Sequence, residues 1–281
     1  MELQQKLDLL GAGAGFDVDE AAQVSLCATA GKPLPNGRTP AELGRSISML
    51  TRSDGKKVPI LKVLQTSACA KDCYYCPFRA GRDFRRAAFT PEELARATDQ
   101  LYRAGRIQGL FLSSGIVGKG EYSQERIVAT AEILRRQYEF RGYLHLKLMP
   151  NASAAAVERS MQLADRVSVN LEAPTPAALD RRSGTKDLVS LLNPLRLAAS
   201  LAPRRHRRRV SHVTQFVVGG GGTDRDLLRR TDELYRRRVV ARVLQRVFTC
   251  AQYAPGRPGP HGPAPGGASV SGGLSHAALW L

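Results

Sequence analysis

Three cysteines fall in the stretch Cys69-Ala70-Lys71-Asp72-Cys73-Tyr74-Tyr75-Cys76, and their C-x3-C-x2-C spacing suits a metal cluster. Thiolates are soft ligands that favour iron-sulfur clusters, zinc or copper(I), and one tight loop can aim three of them at a single cluster. A structural zinc site needs a fourth ligand, ordinarily from a second Cys/His pair at short spacing. The other cysteines, Cys27 and Cys250, belong to no such pair, which leaves zinc as the weaker rival. Bound by three thiolates, a 4Fe-4S cluster would keep one iron open to a small molecule that offers an amine and a carboxylate.

The loop must be held by something rigid, and the sequence around it supplies the elements. From Val58 onward, apolar runs alternate with segments of helical period, the pattern of βα units around a parallel sheet. Pro59–Thr66 reads as a first strand that leads directly into the cysteine loop. Further strands are predicted over Gly109–Ser114, Gly142–Met149, Arg166–Glu172, His212–Val218 and Ala241–Phe248. Between them, Thr90 with Pro91 and Glu93 makes an N-terminal capping box for a helix to about Arg103. Ser123, Ser153 and Thr223 are predicted caps of later helices, and helical segments also cover Pro176–Leu179 and Asp187–Leu201. The expected fold is α/β, a partial (βα)6 TIM-like barrel over residues 51–250. An N-terminal extension (1–50) is weakly patterned beyond a short amphipathic helix at Glu2–Leu10, and a tail follows (251–281).

In such a barrel the site forms at the carboxyl ends of the strands. The informative polar residues all fall there. Ser113-Ser114-Gly115 closes the second strand, Lys147 lies near the end of the third, and Asn170 and Glu172 close the fourth. Gln215 lies on the fifth, ahead of Gly219–Gly222. Two-residue spacing predicts that Asn170 and Glu172 point to the same side.

The chain has 281 residues, 43% of them hydrophobic, enough for one large domain. No stretch approaches the roughly 18 consecutive apolar residues of a membrane span, and no N-terminal leader pattern is present. With five cysteines and no disulfide framework, the protein is expected in the cytoplasm. Its 42 basic and 25 acidic residues leave a net charge of +17. That excess favours a polyanion such as nucleic acid, although an arginine-rich surface set by genome base composition would leave the same excess. The run Arg204-Arg205-His206-Arg207-Arg208-Arg209 reads as a solvated loop before a phosphate clamp. Residues 251–281 hold 7 Gly and 5 Pro with no acidic residue, so disorder is expected there. The abrupt start of this tail at the sixth strand suggests a frameshift or truncation, with a true flexible tail as the alternative.

The cysteine loop, Gly109-Leu-Phe-Leu-Ser-Ser-Gly115, His145-Leu-Lys-Leu-Met-Pro150 and Ser168-Val-Asn-Leu-Glu-Ala-Pro-Thr175 together resemble the radical S-adenosylmethionine (radical SAM) superfamily. Within it the chain is most similar to the DNA modification and repair radical SAM subfamily, often linked with a uracil-DNA-glycosylase-like partner. The resemblance implies that Cys69, Cys73 and Cys76 hold three irons of a 4Fe-4S cluster and that S-adenosylmethionine chelates the fourth. It places Tyr75 and Gln215 beside the adenine, Asn170 and Glu172 at the ribose hydroxyls, and Lys147 at the methionyl carboxylate. Backbone carbonyls of Ser113, Ser114 and Gly115 would receive the methionyl amine. An external electron donor such as flavodoxin or ferredoxin is implied too.

Each of these residues also has a plain reading: a turn cap for Ser113 and Ser114, a structural ion pair for Glu172, a surface position for Lys147. Two departures from the subfamily stand out, the arginine run and the lack of a further C-terminal region. Other radical SAM chemistry, on a small molecule or a protein, is the second functional reading. A non-catalytic, metal-stabilised nucleic-acid binding module is the third.

Overall fold

The computed structural model describes residues 1–14, 46–51, 55–201, 210–218, 222–239 and 244–246. Cys27, Cys250, the arginine run, Gly219–Gly221 and the tail lie outside the described residues. Seven strands form one sheet in sequential order: β1 (Ile47–Thr51), β2 (Lys57–Leu64), β3 (Gly109–Ser113), β4 (Tyr143–Lys147), β5 (Arg166–Glu172), β6 (Ser211–Val218) and β7 (Leu244–Arg246). All neighbouring pairs from β2 to β7 are parallel. Helices α1 (Leu3–Ala14), α2 (Pro91–Arg103), α3 (Glu121–Arg136), α4 (Ala154–Leu163), α5 (Pro176–Asp180), α6 (Leu188–Leu201) and α7 (Asp224–Arg236) complete the fold. The six parallel strands with their helices make the expected partial barrel.

The described part of the N-terminal region adds a strand and a helix to the barrel. Strand β1 runs antiparallel to β2, from Ile47 opposite Leu61 to Thr51 opposite Lys57. Helix α1 extends to Ala14 and buries Leu7, Leu10 and Ala14 in the main core. Ser46 fastens the two, its hydroxyl donating to the Leu7 carbonyl at 2.6 Å. A five-residue strand that is half-buried or exposed throughout, with Met49 facing outward, carries too little periodicity to be read alone.

Strands β2 to β4, and β5 as far as Val169, alternate between two faces. Leu61, Val63, Leu110, Leu112, Leu144, Leu146, Val167 and Val169 are all almost fully buried and belong to the core packed beneath the helices. Their neighbours Lys62, Phe111, His145, Lys147 and Ser168 therefore line the inner face of the barrel. Truncating one of these core leucines to alanine would cost about 2–5 kcal/mol.

Capping is as expected at Thr90, Ser153 and Thr223, with Thr175 capping α5. The exception is Ser123. Helix α3 starts earlier, behind Gly120 in a left-handed conformation, and Ser123 lies in its first turn. There its hydroxyl donates to the Gly115 carbonyl at 2.9 Å and accepts from the Val117 N–H at 2.9 Å. It ties the turn after β3 to the helix instead of starting the helix. Among the described residues no helix is long and apolar enough to cross a membrane.

Candidate active site

Strand β2 delivers the chain to the cysteine loop, and three devices shape that loop. The first is Arg86, whose guanidinium donates to the carbonyls of Ser67 (2.6 Å), Phe78 (2.8 Å), Arg79 (3.0 Å) and Arg82 (3.3 Å). One planar, permanently charged fork thus closes the loop on itself. The second is the turn after β3. Ala70 N–H donates to the Ile116 carbonyl at 2.7 Å, and Ile116 N–H reaches Cys69 Sγ at 3.4 Å.

The third is the segment Arg182-Ser183-Gly184-Thr185-Lys186, which follows α5 and lies across the loop. Asp72 accepts from Ser183 Oγ (2.6 Å), Thr185 Oγ1 (2.6 Å) and the N–H groups of Gly184 (3.1 Å) and Thr185 (3.2 Å). Tyr74 N–H donates to the Arg182 carbonyl at 2.8 Å, and Lys71 Nζ to the Thr185 carbonyl at 2.7 Å. Burial would raise the Asp72 carboxyl, but these hydrogen bonds outweigh it and hold it below the ordinary range.

Cys69, Cys73 and Cys76 are free thiols, Cys73 buried and the others half-buried. Burial raises the Cys73 thiol, and burial together with Cys73 pushes Cys76 up to about 12. A cluster bound by these thiols would displace their protons, as thiolate ligation must. Among the described residues no three His, Cys, Asp or Glu side chains converge on a single ion. In a cubane each cysteine binds a different iron, so its ligands stand further apart than those of one ion.

Lys186, which nothing in the sequence singled out, is the link between loop and sheet. Its buried ammonium lies 2.9 Å from Glu172 Oε1 and also hydrogen-bonds Cys73. Burial alone would lower Lys186, but Glu172 and Cys73 beside it hold it above the usual lysine range. Tyr75 shares the same carboxylate. Burial and its hydrogen bond to Glu172 push the phenol well above its ordinary value. Arg182 donates to the carbonyls of Ala178 (2.8 Å) and Val217 (2.6 Å), while its Nε is buried without a partner among the described residues. That orphaned donor, within electrostatic reach of Tyr75 and Glu172, leaves a place for a bound acceptor and fits a cofactor at the loop.

The predicted residues divide into two clusters. Glu172, Tyr75 and the cysteines form the upper one, and the structural ion pair expected as the plain reading of Glu172 is present. Lys147 is 4% exposed and no surface lysine. Its ammonium donates to Asn170 Oδ1 and, at 3.3 Å, to Gln215 Oε1, which makes the second cluster. Asn170 and Glu172 do not share a side, against the two-residue rule. A bulge between them shifts the register, with Glu172 at φ +64, so the carboxylate turns to Lys186 and the amide to Lys147. A non-glycine residue in that region costs energy and marks functional sites.

Ser113, Ser114 and Gly115 form the turn expected of them. Gly115 is required by contact, since a Cβ there would lie 2.1 Å from the Ala68 carbonyl oxygen. Its own carbonyl accepts from Ser114 Oγ (2.8 Å) and Ser123 Oγ (2.9 Å). Ser113 carbonyl accepts from Gln65 N–H at 2.7 Å.

The family model of the radical SAM superfamily matches residues 63–238. No curated protein matches the sequence. Among solved structures, the FeFe-hydrogenase maturase HydG from Carboxydothermus hydrogenoformans aligns with a TM-score of 0.53 at 14% identity, over 66% of this chain and 43% of that one. Methylornithine synthase (PylB) aligns with a TM-score of 0.52 at 13% identity, over 66% of this chain and 52% of that one. The chain thus spans about half the length of these structures or less, and at such identities they speak for the fold alone. A family-model match over most of the chain, on a partial barrel whose first strand delivers the three-cysteine loop, places this protein in the radical SAM superfamily, whose cofactors are a 4Fe-4S cluster and S-adenosylmethionine.

Proposed function

We propose that the chain is a radical SAM enzyme acting on nucleic acid or one of its components. The observation that carries the enzymatic reading is the clamped cysteine loop, with Glu172, Tyr75 and Lys186 packed against it. When bound, the cluster and S-adenosylmethionine supply reductive cleavage of the sulfonium to a 5'-deoxyadenosyl radical, which takes a hydrogen atom from substrate.

The protein's own residues bind and orient. Cys69, Cys73 and Cys76 would ligate three irons, and the Asp72 clamp and the Arg86 fork fix their loop before anything binds. Lys186 puts positive charge beside Cys73 and Cys76, which supports an anionic cluster and the cofactor's carboxylate. Lys147, Asn170 and Gln215 offer a donor and amides at the inner face for the cofactor's polar groups. The reducing electron would come from a partner such as flavodoxin or ferredoxin. A uracil-DNA-glycosylase-like protein is the proposed partner in repair.

The net charge of +17 supports the nucleic-acid substrate. A second reading, a small-molecule or protein substrate, is favoured by the names of the solved relatives, a hydrogenase maturase and methylornithine synthase. Anaerobic reconstitution with iron and sulfide tests the cluster through bound iron and visible absorbance. If Cys73→Ala keeps both unchanged, the assignment is wrong. Release of 5'-deoxyadenosine under reductant tests the reaction. DNA binding that falls steeply with salt separates the nucleic-acid reading from the other.

A further inference from the structure

The three cysteines receive different hydrogen bonds. Cys69 Sγ accepts from the backbone N–H of Ile116 at 3.4 Å, and Cys76 accepts from the backbone of Phe78. Cys73 instead receives a charged side-chain donor, the ammonium of Lys186. The chain brings these two together through the residues that precede them. Asp72 and Thr185 are hydrogen-bonded to each other, so the next residue on each side, Cys73 and Lys186, comes face to face. On its other side Lys186 meets Glu172 Oε1 at 2.9 Å, with the lysine and glutamate side chains 8% and 6% exposed. Tyr75 hydrogen-bonds the same carboxylate. The bulge in β5 and the positive φ of Glu172 are what aim that carboxylate at the lysine.

A buried ion pair is a poor source of stability, since apolar residues of the same volume often serve as well or better. A backbone strained to turn a carboxylate toward a lysine adds a further cost. Hydrogen bonds to ligating sulfurs and charge close to a cluster, on the other hand, are levers that set its reduction potential. A hydrogen bond from a charged donor is roughly twice as strong as one from a neutral donor. The ammonium at Cys73 therefore outweighs the backbone donors at Cys69 and Cys76.

We infer that Lys186, held in place by Glu172, donates to the Cys73 thiolate of the bound cluster and raises the cluster's reduction potential. Lys186 is a positioning residue in this role, acting through Cys73. One electron leaves the external donor protein, which is oxidised, and enters the cluster, which gains one negative charge. The ammonium keeps its proton throughout and stabilises that added charge. This deepens the proposed function and rests on its cluster, though not on the choice of substrate.

The test is a potentiometric titration of the reconstituted full chain before S-adenosylmethionine is added, followed by electron paramagnetic resonance of the reduced cluster. In Lys186→Met the ratio of reduced to oxidised cluster at a fixed potential should fall about tenfold, a midpoint about 59 mV lower for a one-electron couple. Part of that shift would come from the Glu172 carboxylate left without its cation. Lys186→Met/Glu172→Gln removes both charges, isolates the donor at Cys73, and should still have a midpoint below the parent's. The double variant leaves no unpaired buried charge and carries the measurement if Lys186→Met fails to fold. The inference is overturned if the double variant's midpoint equals or exceeds the parent's, or if Lys186→Met matches the parent. An unchanged midpoint in both variants, with 5'-deoxyadenosine released by the parent, sinks this inference alone. A lowered midpoint, with a parent whose reduced cluster releases no 5'-deoxyadenosine, sinks the enzymatic reading alone. A parent that takes up no cluster overturns both.

Discussion

Thr185 grips Asp72 twice through one hydroxyl, which donates to the carboxylate at 2.6 Å and accepts from the Asp72 N–H at 3.1 Å. The two residues are 113 apart in the chain. Asp72 directly precedes Cys73, so the contact anchors the middle of the cysteine loop to the segment that also carries Lys186. A loop held in its bound geometry forfeits less entropy when the cluster arrives.

Asp72→Ala should therefore lower cluster occupancy with little change in the fold. With charge-assisted hydrogen bonds lost, occupancy at limiting iron should fall about tenfold. Bound iron per chain and the melting curve of the cluster-free protein measure the two effects separately. A normal iron content in the variant would show that the clamp does not position the loop.

Lys186→Met leaves the Glu172 carboxylate buried beside Tyr75 without its cation. Breaking a buried pair on one side costs about 3–5 kcal/mol. The double variant Lys186→Met/Glu172→Gln should regain much of that stability, because no unpaired charge remains. Denaturant midpoints of the cluster-free single and double variants give the coupling, and additive losses would refute it.

Gly115→Ala drives a methyl group toward the Ala68 carbonyl, 2.1 Å away, with backbone on both sides. The turn after β3 or the start of the cysteine loop must move. S-adenosylmethionine affinity and bound iron should both drop in equilibrium dialysis, while the far-ultraviolet spectrum of the whole chain stays close to that of the parent.

Lys6 joins α1 to the start of α2 through Glu93 at 2.7 Å. The hydrogen bond from Lys6, with that from the Thr90 N–H, holds the Glu93 carboxyl below its ordinary value. A lowered folded pKa means stability that is present above the unfolded value, about 4.3 for glutamate, and lost as pH falls through the folded one. The pair is partly exposed, so its worth is about 1 kcal/mol or less. Urea midpoints should separate Glu93→Gln from the parent at neutral pH, and the gap should close under acid. A gap that persists at low pH would mean the loss is one of packing.

Much of this protein was legible in its residues alone. The spacing of Cys69, Cys73 and Cys76 pointed to a cluster loop, alternating periods marked the βα order, and Thr90, Ser153 and Thr223 marked helix starts, because each of these is set by neighbours a few residues away. Tertiary structure decided what those neighbours could not. Asp72 meets Ser183 and Thr185, Lys186 joins Glu172 to Cys73, and Lys62 aligns with Phe111, His145 and Arg166 only through strand register and chain crossings. The bulge that parts Asn170 from Glu172 reverses a two-residue rule on which the sequence reading relied. Spacing reports contacts within an element, whereas the charge partners of a buried group are chosen by packing between elements, and no local pattern encodes that choice.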